Sequence, residues 1–183
     1  MLATIALLMV ESLTATERRQ RSFRPLVATA SAAPDPVVST RSGDVRVSGS
    51  KERLKRLIQA GTITPVLSEE ELDILIHIES SGRNGVIGDT KYTPDERAYG
   101  VLQIRQCYVT DVNRKFGTNL RSTDCQYDIE LSKLVVQAYM NIYGEPGFGF
   151  QEYARMHNGG PSGHLSTSTD DYWKKVIREK MSR

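Results

Sequence analysis

The sequence predicts a mainly α-helical single domain over residues 51–183, behind an N-terminal extension over residues 1–50. Two observations carry that expectation. After Lys51, apolar residues recur at helical spacing in successive stretches, and no stretch holds the sustained alternation of a sheet strand. Over residues 25–50, small residues, Pro and Ser dominate without a sustained period, which reads as a linker or disordered tail. A length of 183 residues suits one domain plus a tail.

The elements follow in order. Leu54, Leu57 and Ile58 give a short amphipathic helix from Lys51, ended by Gly61. Ser68 opens a stronger one. With Glu71 three residues on it forms a capping box, in which each side chain answers the other's backbone N–H. Leu72, Leu75 and Ile76 form its stripe, Ile74 and Ile78 widen it, and Gly82 is the expected stop. Residues 81–99 mix Gly, Asn, Asp, Thr and Pro, as a loop or a small irregular hairpin would. Val109, Val112 and Phe116 share one side of a helix in the second half of 101–116. From Asp128 to Tyr143 the pattern Leu131, Leu134, Val135, Ala138, Ile142 is helical. A short helix over 150–156 closes into Asn158-Gly159-Gly160. Thr169 is placed to cap a last helix, with Asp170 and Asp171 in its first turn and Lys180 near its end.

Composition narrows the function classes. A net charge of +2 without a clustered basic face does not point to nucleic acid, yet suits an anionic polymer. Leu2–Val10 is apolar but too short to span a bilayer. As a signal peptide it has the wrong flanks: no basic residue precedes it, Glu11 follows, and Arg18, Arg19, Arg21 and Arg24 come after it. Cys107 and Cys125 match no zinc or redox spacing, so they are either a disulfide in an exported protein or inert thiols in a reducing compartment. His77, His157 and His164 have no ligand spacing, Gly147-Phe148-Gly149 is no phosphate loop, and Ser80 sits in no nucleophile elbow. No metal and no cofactor is expected.

Glu79 is the residue to explain. A rotation of about 100° per residue puts it on the face of Leu72, Leu75 and Ile76. A carboxyl there is costly unless satisfied or protonated, and burial raises a carboxyl pKa, as a general acid in glycoside cleavage requires. Periodicity alone leaves the blander reading open and commoner: a residue in the last turn that swings out to solvent.

The company Glu79 keeps changes that balance. Glu79-Ser80, then Gly100-Val101-Leu102-Gln103-Ile104, then Ala154-Arg155-Met156-His157-Asn158-Gly159-Gly160, then Tyr172-Trp173-Lys174-Lys175-Val176 occur in this order. The ordered set resembles the lytic transglycosylase (SLT) branch of the lysozyme-like superfamily, over roughly residues 66–180. The resemblance implies a lysozyme-like fold, and cleavage of the β-1,4 bond between N-acetylmuramic acid and N-acetylglucosamine in peptidoglycan strands. It makes Glu79 the acid and then the base. Ser80, Gln103, Asn158 and Tyr172 become substrate-side residues, with Tyr172 packed near Glu79. Gly100, Gly159 and Gly160 would let backbone approach the glycan. Such a substrate places the protein outside the cytoplasm, secreted or periplasmic and facing the wall.

The chain also departs from that pattern. The segment between Ser81 and Ala98 is longer and more polar than a minimal member needs, and His157 and Pro161 are uncommon choices there. That segment carries Asp89, Asp95 and Glu96. A second carboxylate among them, Asp89 for example, would position water for hydrolysis as in goose-type lysozymes. Without it, the substrate's own 6-hydroxyl attacks and leaves a 1,6-anhydro end. A third reading is a non-catalytic glycan-binding protein that keeps the fold.

Overall fold

A buried glutamine ties the helix over Ile129–Tyr143 to the turn between the helices Thr40–Gln59 and Glu69–Ser80. Gln137 accepts from the N–H groups of Val66 (2.9 Å) and Leu67 (3.2 Å) and donates to the Leu67 carbonyl (2.6 Å). One side chain thereby satisfies a turn whose backbone would otherwise be buried unpaired. The computed structural model describes residues 40–183. Leu2–Val10, the arginines at 18–24 and residues 25–39 lie outside the described residues.

The helices are α1 (Thr40–Gln59), α2 (Glu69–Ser80), α3 (Gln106–Phe116), α4 (Ile129–Tyr143), α5 (Phe150–Gly159) and α6 (Asp170–Met181). The strands β1 (Ile87–Gly88) and β2 (Ala98–Tyr99) pair antiparallel, with Ile87 opposite Tyr99 and Gly88 opposite Ala98. A bridge from Tyr99 to Ile104 extends the ladder, so the segment after α2 is the small irregular hairpin. Leu54, Leu75, Val112, Val135, Met156 and Val176, one from each helix, meet in the core. The mainly α architecture is as the sequence predicts.

The first helix starts earlier than its patterning indicates. Residues 40–50 read as linker, yet α1 runs through them. Gly and Ser give this stretch poor helix propensity, and contacts far along the chain override it. The Arg46 guanidinium grips both oxygens of Asp124 at 2.8 Å and also reaches the Asn119 carbonyl. Ser50 is buried and accepts from the Asn119 N–H (3.1 Å), and Val47 packs on the core.

The second helix is capped as its sequence predicts. Ser68 accepts from the Glu71 N–H (3.2 Å), and the Glu71 carboxylate accepts from the Ser68 N–H (2.9 Å). Its stop is one residue before Gly82. Ser81 takes the left-handed conformation (φ 54°) and donates to the His77 carbonyl. Thr169 stands at the N-cap position of α6 but does not cap it. Its hydroxyl reaches the carbonyls of Gly163 (2.7 Å) and Ser166 (2.8 Å) and accepts from Arg155 Nε (2.9 Å).

The two cysteines are not bonded to each other. Cys107 is on the exposed side of α3, whereas Cys125 is fully buried and its thiol is pushed up to about 12, chiefly by burial. The pair is therefore unbridged, and only Cys125 has the burial of an inert thiol.

A protein beginning at Lys51 loses the Arg46 and Ser50 contacts that one beginning at Thr40 keeps. We expect it to be less stable by about 2–3 kcal/mol, the scale of a charge-assisted bidentate pair and a satellite hydrogen bond. Thermal unfolding of the two truncations should differ by roughly 6–10 °C. Equal midpoints would show that residues 40–50 contribute nothing to the fold.

Candidate active site

Glu79 ends α2 on the face that carries Leu72 and Leu75, and its side chain is only 18% exposed. It does not swing out. Its Oε1 accepts from the Tyr172 hydroxyl of α6 at 2.7 Å. His157 of α5 brings Nε2 to 3.7 Å from that same oxygen, while its Nδ1 lies 3.4 Å from the Tyr108 hydroxyl of α3. The Tyr108 ring stacks on Tyr139 of α4 at 3.5 Å between centroids. Three helices distant in sequence thus surround one carboxyl with neutral or weakly polar groups.

The titration of these neighbours keeps them neutral. Burial pushes the Tyr172 hydroxyl well above its ordinary range, and the Glu79 charge adds to this. The phenol therefore keeps its proton and donates. Burial likewise raises Tyr108. Burial lowers His157, against smaller opposing effects from Glu79 and the Leu102 backbone.

Glu79 opens onto a cleft of about 280 Å³. Asp89 and Ala98 of the hairpin line it, as do Gln103 and Arg105 ahead of α3 and His157 and Asn158 of α5. Gln103 is held with a left-handed backbone (φ 48°), and its Nε2 donates to the Gly100 carbonyl at 2.8 Å. Its Oε1 lies over Gly88, where a Cβ would come within 2.0 Å of it. Asp89, also left-handed (φ 54°), is ion-paired with Arg105. Asn158 stands exposed at the rim.

Of the residues singled out by the sequence, Glu79, Gln103, Asn158 and Asp89 come together in this cleft, and Tyr172 joins through Glu79. Ser80 does not line it. Ser80 is buried, its hydroxyl donates to the Ile76 carbonyl (3.0 Å) and its carbonyl accepts from Arg83. Asp95 and Glu96 lie on the exposed turn Pro94–Glu96, with Glu96 bound to Thr93. The glycines serve the fold's interior. A Cβ on Gly100 (φ 75°) would sit 2.1 Å from the Cys125 carbonyl oxygen, and one on Gly159 would sit 2.6 Å from a methyl of Thr169. Gly160 ends α5 at a positive φ of 80°. Arg105 and His157 are the cleft residues that motif reading passes over. Among the described residues, no group of three or more His, Cys, Asp or Glu converges as a metal site would.

His157 makes stability depend on pH. Burial holds its folded pKa below the ordinary histidine value of about 6.5, so between the two the unfolded chain binds the extra proton. Stability from keeping the ring neutral is fully present above about pH 6.5 and is lost as pH falls toward the folded value. We expect His157→Gln to flatten this part of the melting-temperature profile. An unchanged slope between about pH 6.5 and 5 would show that the ring does not titrate as buried.

No family model matches the chain. Lysozyme from Meretrix lusoria is 31% identical over 114 residues, 61% of this chain and 88% of that protein. Lysozyme from Magallana gigas is 39% identical over 83 residues, 44% of this chain and 58% of that protein. The chain likewise spans 60% of lysozyme 1 from Crassostrea virginica, at 29% identity, so it matches about three fifths of the length of these latter two relatives. An invertebrate-type lysozyme from Ruditapes philippinarum is 37% identical over 78 residues, 41% of this chain and 55% of that protein. Among solved structures, inhibitor-bound Meretrix lusoria lysozyme superposes with a TM-score of 0.52 at 29% identity, covering 62% of this chain and 90% of that one. Tapes japonica lysozyme gives 0.50 at 28%, covering 60% and 87%.

Proposed function

Because the chain belongs to the lysozyme family, we propose that it is a muramidase, hydrolysing the β-1,4 bond between N-acetylmuramic acid and N-acetylglucosamine in peptidoglycan. The observation that carries this reading is the meeting of Glu79 and Asp89 on one cleft. Glycoside hydrolysis needs a proton for the leaving oxygen and an anion for the cationic sugar or its attacking water. In the proposed reaction Glu79 gives its proton to the glycosidic oxygen as the C1–O bond breaks. Asp89 faces the developing positive charge or orients the water that adds to C1, and Glu79 takes the water's proton back.

The transglycosylase branch suggested by the motif order is the weaker reading at this point, since the relatives are lysozymes. Tyr172 orients Glu79 by tying Oε1, which leaves Oε2 as the oxygen for proton delivery. Gln103 and Asn158 present carboxamides suited to the acetamido groups of the sugars. An enzyme for this polymer works outside the cytoplasm, so export belongs to the proposal. No described helix is long and apolar enough to cross a membrane.

Glu79→Gln keeps the shape and an acceptor for Tyr172 but removes the transferable proton. Cleavage should fall by about 10²–10⁴-fold, with the melting temperature unchanged or raised. A folded variant that still cleaves peptidoglycan at near-normal rate would end the assignment of Glu79. Mass spectrometry of the digest should find reducing muramic acid ends. Predominant 1,6-anhydro ends would restore the transglycosylase reading, and no products would favour a glycan-binding protein.

A further inference from the structure

Tyr127 is held in a fixed position although most of it faces solvent. The residue is 72% exposed, yet the backbone around it is tied down. The Asn84 side chain donates to the Tyr127 carbonyl (3.2 Å). The Gly85 N–H donates to the Gln126 carbonyl (3.0 Å), and Gln126 Nε2 donates back to the Gly85 carbonyl (3.2 Å). Gly85 has a φ of 76°, and a Cβ there would come within 2.5 Å of the Tyr127 ring. The ring thus lies close against the Gly85 backbone, in a cradle that any side chain at that position would fill. A single exposed aromatic is ordinary. One seated in this way beside a groove is a preformed platform for a ligand.

The groove has a volume of about 710 Å³ and is lined by α1 and by the segment leading into α4. Its surface is mixed. Val47, Tyr127 and Ile129 are apolar, whereas Asp44, Ser48 and Thr123 bring oxygens. Lys51 also lines it, but its charge is balanced by Asp128 and Glu130, each at 2.8 Å. A phosphate or another small anion therefore finds no open cation in Lys51. The ligand that matches this surface is uncharged, with an apolar face for the ring and hydroxyl and amide donors along its edge. An N-acetylhexosamine has that form: its pyranose C–H bonds make the face, and its hydroxyl and acetamido groups make the edge.

The groove shares no lining residue with the Glu79 cleft. The two are nevertheless joined through β1. Gly85 holds Tyr127 just before that strand, and Asp89 lines the cleft just after it. At about 3.3 Å per residue the two positions are at most roughly 13 Å apart. A long polymer can reach both, and a fragment that fills only the cleft cannot.

We propose that the Tyr127 groove is a second glycan-binding site, which takes uncut N-acetylhexosamine units of a peptidoglycan strand with one sugar ring stacked on Tyr127. The identity of the polymer rests on the muramidase reading. Attachment at the groove keeps the wall near the cleft between cuts, so the next strand is met at a raised effective concentration.

The test uses the full chain. In Glu79→Gln protein, which binds without cutting, adding Tyr127→Ala should weaken sedimentation with insoluble peptidoglycan about fivefold, the scale of one aromatic contact. Adding Tyr127→Phe instead, which keeps the ring, should leave binding as it was. With Glu79 intact, Tyr127→Ala should raise KM on insoluble peptidoglycan by a similar factor and leave kcat/KM on a soluble tetrasaccharide fragment unchanged, with the melting temperature unmoved. The proposal is overturned if Tyr127→Ala binds and cleaves insoluble peptidoglycan as the unsubstituted protein does, or if it loses as much on the tetrasaccharide. Self-association that Tyr127→Ala abolishes, with peptidoglycan binding intact, would overturn it in favour of a second copy of this chain. Should the protein with Glu79 intact bind peptidoglycan through Tyr127 yet cleave none, the muramidase reading fails and the site stands.

Discussion

A carboxyl that is four-fifths covered needs partners, and the domain is arranged around supplying them to Glu79. The Tyr172 hydroxyl comes from the last helix, 93 residues further along the chain. An unpaired polar group at such a depth would cost about 1–3 kcal/mol, so α2 and α6 are held in register by more than their apolar contact. His157 closes the other side and is held near Tyr108, whose ring rests on Tyr139. Core packing and site geometry are therefore the same contacts. The helices cannot slide without exposing or orphaning Glu79.

The opposite wall of the cleft is set by backbone conformation. Among the described residues, three non-glycine residues have positive φ: Ser81, Asp89 and Gln103. Ser81 turns the chain out of α2, immediately after Glu79 and Ser80, and the other two line the cleft. Such conformations are costly for residues with a Cβ and persist only where the surroundings over-determine them. Here the surroundings are visible. Gln103 is fixed by the Gly100 carbonyl, and Asp89 by Arg105. The tight passage of Gly100 against the Cys125 carbonyl anchors the hairpin to the core side. Strain concentrates on the residues proposed to meet the glycan, while the rest of the hairpin is ordinary ladder and turn.

How far the sequence could be read follows from where each element draws its stability. The second helix was legible because its signals are local: Ser68 and Glu71 cap it, and Leu72 and Leu75 mark its buried face. The start of the first helix was not, because Arg46 and Ser50 are held by Asp124 and Asn119, more than sixty residues away. Thr169 was legible as the position where a helix begins but not as a side chain, since its hydroxyl answers Arg155 and two carbonyls instead. Glu79, Gln103 and Asn158 could be picked out by motif order, and so could the neighbourhood of Asp89 by its acidity. Arg105 and His157 could not. A lone arginine before a helix and a lone histidine within one are common in any sequence, and only the packing of α3 and α5 beside α2 gives them a shared cleft.

The two carboxyls of that cleft have unlike neighbours, and the difference fits them for unlike work. Asp89 touches a full positive charge and is about one third exposed, so its negative charge is balanced within the protein. Glu79 touches a phenol that keeps its proton and a histidine whose charged form burial disfavours. Neither neighbour neutralises a negative charge as a guanidinium does. Glycoside hydrolysis uses this kind of asymmetry, with one carboxyl handing over a proton while the other remains an anion. The proposed roles of Glu79 and Asp89 rest on which side chains each helix and loop brings beside them. Exchanging the two roles would require moving Arg105 across the cleft.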